Sequence, residues 1–194
     1  MITRQILTFT AAALLAAPFA HGQAPATEPA PATGAAATPA AKPKPLSMGE
    51  GKALLDLLDL MQFHIQMGLT ARHKEKDDKE LVAFANKIHK EMTEQFTPLV
   101  TVAMNNNLKN IPAAVSKNDK AEIAKLGKVK PDKWKQEYFE MLAKNGKRNA
   151  RAAENAVKSF QDPELKATGG KVAALITSQT AEAEAKAKEL KERK

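Results

Sequence analysis

Histidine and methionine residues recur at helical spacing in two places along the chain. Met61 and Met67 lie three residues before and after His64, and His89 precedes Met92 by three residues. Thioether and imidazole ligands together suit Cu(I), and a spacing of three places each pair on one face of a helix. Met61, His64, His89 and Met92 are therefore candidate ligands of a soft metal ion. The alternative is that the methionines fill the core and the histidines lie at its polar edge.

Most other metal and catalytic chemistry is missing from the sequence. The chain has no cysteine, which excludes thiolate nucleophiles, disulfides and Cys-ligated zinc or iron–sulfur centres. It contains no Glu-x-x-His pair, the pattern of helical di-iron sites. It also has neither Gly-x-Ser-x-Gly nor a glycine-rich phosphate-binding loop. We therefore expect a non-enzymatic binding or stress-associated protein that needs no cofactor. The alternative is a periplasmic ferritin-like bundle that binds copper or iron.

Basic residues are concentrated in one part of the chain. The net charge is −2 over residues 47–108, +7 over residues 109–151 and +1 over residues 152–194. Such an excess predicts a surface for anionic envelope polymers or lipid headgroups, although lysines also serve simply to keep a helix soluble. Nucleic acid is a poor candidate because aromatic residues for stacking are scarce. The predicted surface comprises Lys125, Lys128, Lys130, Lys133, Lys135, Lys144, Lys147, Arg148 and Arg151.

Two N-terminal segments precede the part of the chain that must position these residues. Residues 1–22 combine Arg4, an apolar run and the small residues Ala20 and Gly22, which is typical of a secretory signal peptide. Residues 23–46 contain six Pro and nine Ala and predict a disordered linker. We therefore expect an exported protein of a bacterial periplasm or cell envelope, with one helical domain over residues 47–194.

Apolar residues spaced by three and four predict an all-α domain. The four long helices are expected at residues 48–74, 78–104, 131–160 and 163–190, with a short helix at residues 119–126. A polar segment, residues 145–149, is expected to interrupt the third long helix. Two short connections and one long crossover predict a four-helix bundle in the ferritin-like style, made of two hairpins joined by the crossover.

Two short segments resemble a known bacterial family. Glu80 to Ile88, which includes the pair Phe84-Ala85, and Asp162 to Ala167 resemble exported, ferritin-like domains of unknown function described as predicted outer membrane proteins. The resemblance implies a ferritin-like bundle and a set of three histidines. This chain has Met92, Gly146 and Gln179 where those histidines are implied. The resemblance therefore supports the fold and argues against a metal centre of the family's kind.

Overall fold

The computed structural model describes residues 45–193, and every regular element in that range is helical. The predicted signal peptide and residues 23–44 of the predicted linker lie outside the described residues. None of the described helices is both long and apolar enough to cross a membrane. The elements are α1 (Met48–Lys74), α2 (Lys79–Asn105), α3 (Lys117–Ala124), a 3₁₀ turn (Lys125–Lys128), α4 (Pro131–Ser159) and α5 (Pro163–Glu192).

Side-chain caps fix where the long helices begin. The Ser47 hydroxyl accepts a hydrogen bond from the backbone N–H of Glu50, whose carboxylate accepts one from the backbone N–H of Ser47. The Asp162 carboxylate accepts from the backbone N–H of Leu165 at 2.7 Å and caps α5. The cap of α2 is Asp78, so this helix begins one residue later than the sequence predicts.

The long helices pack in antiparallel pairs. α1 packs against α2, and α4 packs against α5; α1 also contacts α4, and α2 also contacts α5. Ion pairs between Lys87 and Glu182 and between Lys186 and Glu80 link α2 to α5. The connection between α2 and α4 carries α3, whose Ile123 is buried against the start of α4.

The buried apolar residues form two separate clusters. One, the Phe160 cluster, joins the first half of α1 to the ends of α2 and α4 and the first half of α5. The other, the Trp134 cluster, joins the second half of α1 to the starts of α2 and α4 and the end of α5. Within it Trp134 and Tyr138 stack with ring centroids 5.4 Å apart, so both serve as core anchors.

The predicted interruption of the third long helix is wrong. α4 runs unbroken from Pro131 to Ser159, and Asn145, Gly146 and Asn149 are buried within it. A Cβ atom at Gly146 would overlap the hydroxyl of Thr180 on α5, so the absence of a side chain lets the two helices approach closely. The helix therefore continues through this polar segment, with Gly146 facing Thr180 inside the protein.

Candidate functional site

A layer of polar side chains separates the two apolar clusters, and each of the four long helices contributes to it. On α5, Gln179 and Thr180 are buried between Ile176 of the Phe160 cluster and Ala183 of the Trp134 cluster. We call the whole set the polar layer. Its members are His64 from α1, Glu91 from α2, Asn145 and Asn149 from α4, and Gln179 and Thr180 from α5.

A chain of hydrogen bonds crosses the polar layer from α1 to α2. The Nδ1 atom of His64 lies 3.1 Å from Oε1 of Gln179, and Nε2 of Gln179 donates to Oε2 of Glu91 at 3.1 Å. The Glu91 carboxylate can only accept, so the Gln179 amide must turn its N–H toward Glu91 and its oxygen toward His64. Because that oxygen also only accepts, Nδ1 of His64 carries the proton.

In this tautomer the other ring nitrogen of His64, Nε2, is unprotonated and carries a lone pair. The His64 side chain is fully buried, and its Nε2 has no hydrogen-bond partner among the described residues. Burial lowers the pKa of His64 to about 4, although the hydrogen bond to Gln179 and the charge of Asp119 act in the opposite direction. At neutral pH, His64 is therefore an uncharged imidazole with an unprotonated, unpartnered nitrogen.

The candidate metal ligands do not all meet at this layer. Met61 and Met92 are fully buried in the Phe160 cluster, and Met61 precedes His64 by three residues on α1. Met67 belongs to the Trp134 cluster on the other side. His89 is half-buried on α2 opposite Gly68, one turn further along α1 than His64. His89 therefore faces α1 at Gly68, four residues beyond His64.

One of the sequence-based placements of histidine is also wrong. His64 does not lie at the polar edge of the core, because it bonds across the core to Gln179 and is fully buried. Over residues 45–193, no group of three or more His, Asp or Glu side chains is placed to hold a metal ion. Any metal held at this layer would therefore need ligands of another kind.

The polar layer contains residues that the sequence reasoning did not select as functional. The available signal was a polar residue on an apolar stripe: Gln179 follows Ile176 by three residues and precedes Ala183 by four. Asn145 and Asn149 have the same relation to the stripe of α4. Two of the three positions where the resemblance implies histidines, Gly146 and Gln179, lie at this level, and Met92 directly follows Glu91.

Some residues of the predicted basic surface form ion pairs within the protein, and others do not. Lys135 is half-buried and binds Asp78 at 2.9 Å and Glu80 at 3.1 Å, which ties the start of α4 to α2. Three more of the nine predicted residues have carboxylate partners: Lys125 with Glu122, Lys147 with Glu184, and Arg148 with Asp119. Each of these four residues therefore already has a carboxylate partner within the protein.

Three lysines around the start of α4 have no carboxylate partner in the described residues. Lys128, Lys130 and Lys133 are exposed, and none has an ion-pair partner in the described part of the chain. They fall within six residues, with Asp132 as the one acidic residue among them. We call these three lysines the basic patch. Lys144 and Arg151 are also exposed and lie further along α4, separated from the patch.

Comparison with known protein families gives one match. Residues 35–185 match the model of a family described as Domain of unknown function (DUF4142). The chain belongs to this family. The match spans nearly all of the helical part of the chain, including the polar layer and the basic patch. No curated protein and no solved structure matches this DUF4142 chain.

Proposed function

We propose that this DUF4142 protein is an exported, non-enzymatic binding protein of the bacterial cell envelope. Its helices form a four-helix bundle of ferritin-like order, with two antiparallel hairpins joined by the long crossover. The bundle is a rigid support, and the function lies in recognition of anionic partners by the basic patch. The shared chemistry of those partners is the phosphate group, carried by lipid headgroups or by envelope polymers.

The observation that carries this proposal is the contrast between paired and unpaired lysines. Lys125 and Lys135, on either side of the basic patch, are each held by carboxylates. Lys128, Lys130 and Lys133 have no such partner in the described residues, so their charge faces outward. Near an anionic membrane each lysine contributes about 1 kcal/mol of attraction, so three together support weak, salt-sensitive binding.

The test is a charge reversal confined to the basic patch. The variant Lys128→Glu, Lys130→Glu, Lys133→Glu is compared with wild type for binding to vesicles that contain phosphatidylglycerol and to soluble polyphosphate. Phosphatidylcholine vesicles serve as the uncharged reference surface. Lys135 is left unchanged, since its reversal would also break the contacts with Asp78 and Glu80.

A matched control separates the patch from net charge. The variant Lys109→Glu, Lys166→Glu, Lys171→Glu changes the net charge equally at exposed lysines elsewhere. We expect the patch variant to lose at least tenfold in affinity and the control to lose less than threefold. Equal losses would show that only overall charge matters. No binding by wild type to either anionic probe would also refute the proposal.

A further inference from the structure

The unpartnered nitrogen of His64 requires a physical explanation. Buried polar atoms in folded proteins nearly always have a hydrogen-bond partner, because leaving one without a partner is unfavourable. His64 Nε2 has none in the described residues, although the same ring is held firmly through Nδ1. A lone pair kept free of protons and protein donors is the state in which imidazole binds a metal ion.

The hydrogen bonds behind His64 have the form found behind metal-binding histidines. Such a histidine donates its second N–H to a carboxylate, carbonyl or water, which fixes the ring orientation and makes the ligand nitrogen more basic. Here Nδ1 donates to the Gln179 carbonyl oxygen, and the Gln179 amide in turn donates to Glu91. A carboxylate near the surface therefore orients the ring through one amide.

Two fully buried methionines of the Phe160 cluster are candidate soft ligands for an ion at His64. Met61 precedes His64 by three residues, so both side chains lie on one face of α1. Met92 is buried in the same cluster as Met61, and the residue before it, Glu91, takes part in the hydrogen-bond chain. Thioether sulfur favours Cu(I) over zinc, calcium or magnesium.

We propose that His64 Nε2, together with the sulfur atoms of Met61 and Met92, forms a buried binding site for a single Cu(I) ion. Helix α1 provides two of the three ligands, the ring nitrogen of His64 and the sulfur of Met61, and α2 provides the sulfur of Met92. The proposed site leaves out His89, which faces Gly68, one turn further along α1 than His64. Gln179 is a positioning residue that acts through His64.

The experiment is an anaerobic titration in which the metal-free protein competes with bicinchoninate for Cu(I). Because the site is buried and metal entry is slow, the absorbance of the Cu(I)–bicinchoninate complex is read only once it no longer changes. Met61→Leu and Met92→Leu are the decisive variants, because Met-to-Leu changes in a core largely conserve volume and keep the fold. Met67→Leu is the matched control: the same change, on the same helix, at a fully buried methionine of the other cluster. Circular dichroism confirms that each variant remains helical.

Wild type should take up one equivalent of Cu(I), and Met61→Leu and Met92→Leu should each weaken binding at least tenfold. Met67→Leu, His89→Ala and the charge-reversed basic patch should stay within threefold of wild type, so failure of the anion-binding proposal would not affect this result. Zn²⁺ should not compete at equal concentration. Failure of wild type to take Cu(I) from the chelator, unchanged binding in both decisive variants, or equal binding of Zn²⁺ would overturn the assignment.

Discussion

Mild acid should destabilise this protein through His64. The buried imidazole has a pKa of about 4 in the folded protein, against about 6.5 in an unfolded chain. Below pH 6.5 the unfolded chain therefore binds a proton that the folded protein does not accept, and stability falls as the pH falls. The loss ends near pH 4, where the folded protein is protonated too.

The size of the effect follows from the two pKa values. Since each pH unit between them corresponds to about 1.4 kcal/mol, the unfolding free energy should decrease by about 2 kcal/mol between pH 7.5 and pH 5 on account of His64 alone. The decrease should approach about 3 kcal/mol near pH 4. For a domain of this size, a loss of 2 kcal/mol is a substantial part of the total stability.

Urea unfolding of metal-free protein at a series of pH values measures this loss. Carboxylates and the other histidines also titrate, so wild type is compared with His64→Gln, which keeps a donor toward Gln179 but cannot be protonated. The matched control is His89→Gln, which removes a half-buried histidine outside the polar layer. We expect the pH dependence to flatten by about 2 kcal/mol at pH 5 in His64→Gln. Identical pH dependence in wild type and His64→Gln would refute the reasoning.

Two further predictions concern packing and capping. Gly146→Ala should lower the free energy of unfolding in urea by about 1–3 kcal/mol, because the new methyl group would overlap Thr180. The control Gly170→Ala should raise it by about 0.5–1 kcal/mol, because nothing lies within 4 Å of the added methyl group. Similar values for both variants would contradict the close approach of α4 and α5. Glu50→Gln should cost about 1–3 kcal/mol, since the carboxylate accepts from the backbone N–H of Gln161 at 2.8 Å. Hydrogen bonds from the backbone of Gln161 and from Ser47 lower the pKa of Glu50 to about 2. The wild-type advantage over Glu50→Gln in thermal melts should therefore shrink as the pH falls from 4.5 toward 2, and a constant difference would argue against the charged cap.

The bounds of the helices could be predicted from the sequence because caps and apolar periodicity are local features. The capping box of Ser47 and Glu50 and the cap of Asp162 followed by Pro163 set helix starts, and both are confirmed. Periodic apolar residues gave helix lengths within a residue or two. These features depend on neighbours within one or two turns of chain.

The polar layer could not be predicted with the same ease because it depends on contacts across the whole fold. Gln179 and His64 are 115 residues apart, and no local pattern indicates that they meet. Asn145 to Asn149 has the composition of a helix break, yet Asn145, Gly146 and Asn149 are buried within α4, and Gly146 lies against Thr180 of a helix distant in sequence. Pairing of Lys135 with Asp78 is likewise a contact between distant parts of the chain, so a count of lysines does not show which of them have carboxylate partners.

The most direct test of the central claim is the salt dependence of polyphosphate binding by wild type and by Lys128→Glu, Lys130→Glu, Lys133→Glu. Binding through unpaired lysines weakens steeply with salt, because it is a screened interaction between exposed charges. We predict that wild-type affinity falls at least tenfold between 50 and 200 mM salt, roughly as expected for a few phosphate contacts, and that the variant binds weakly at both concentrations. Wild-type affinity that does not change with salt, or a variant that binds as wild type does, would contradict recognition by the basic patch.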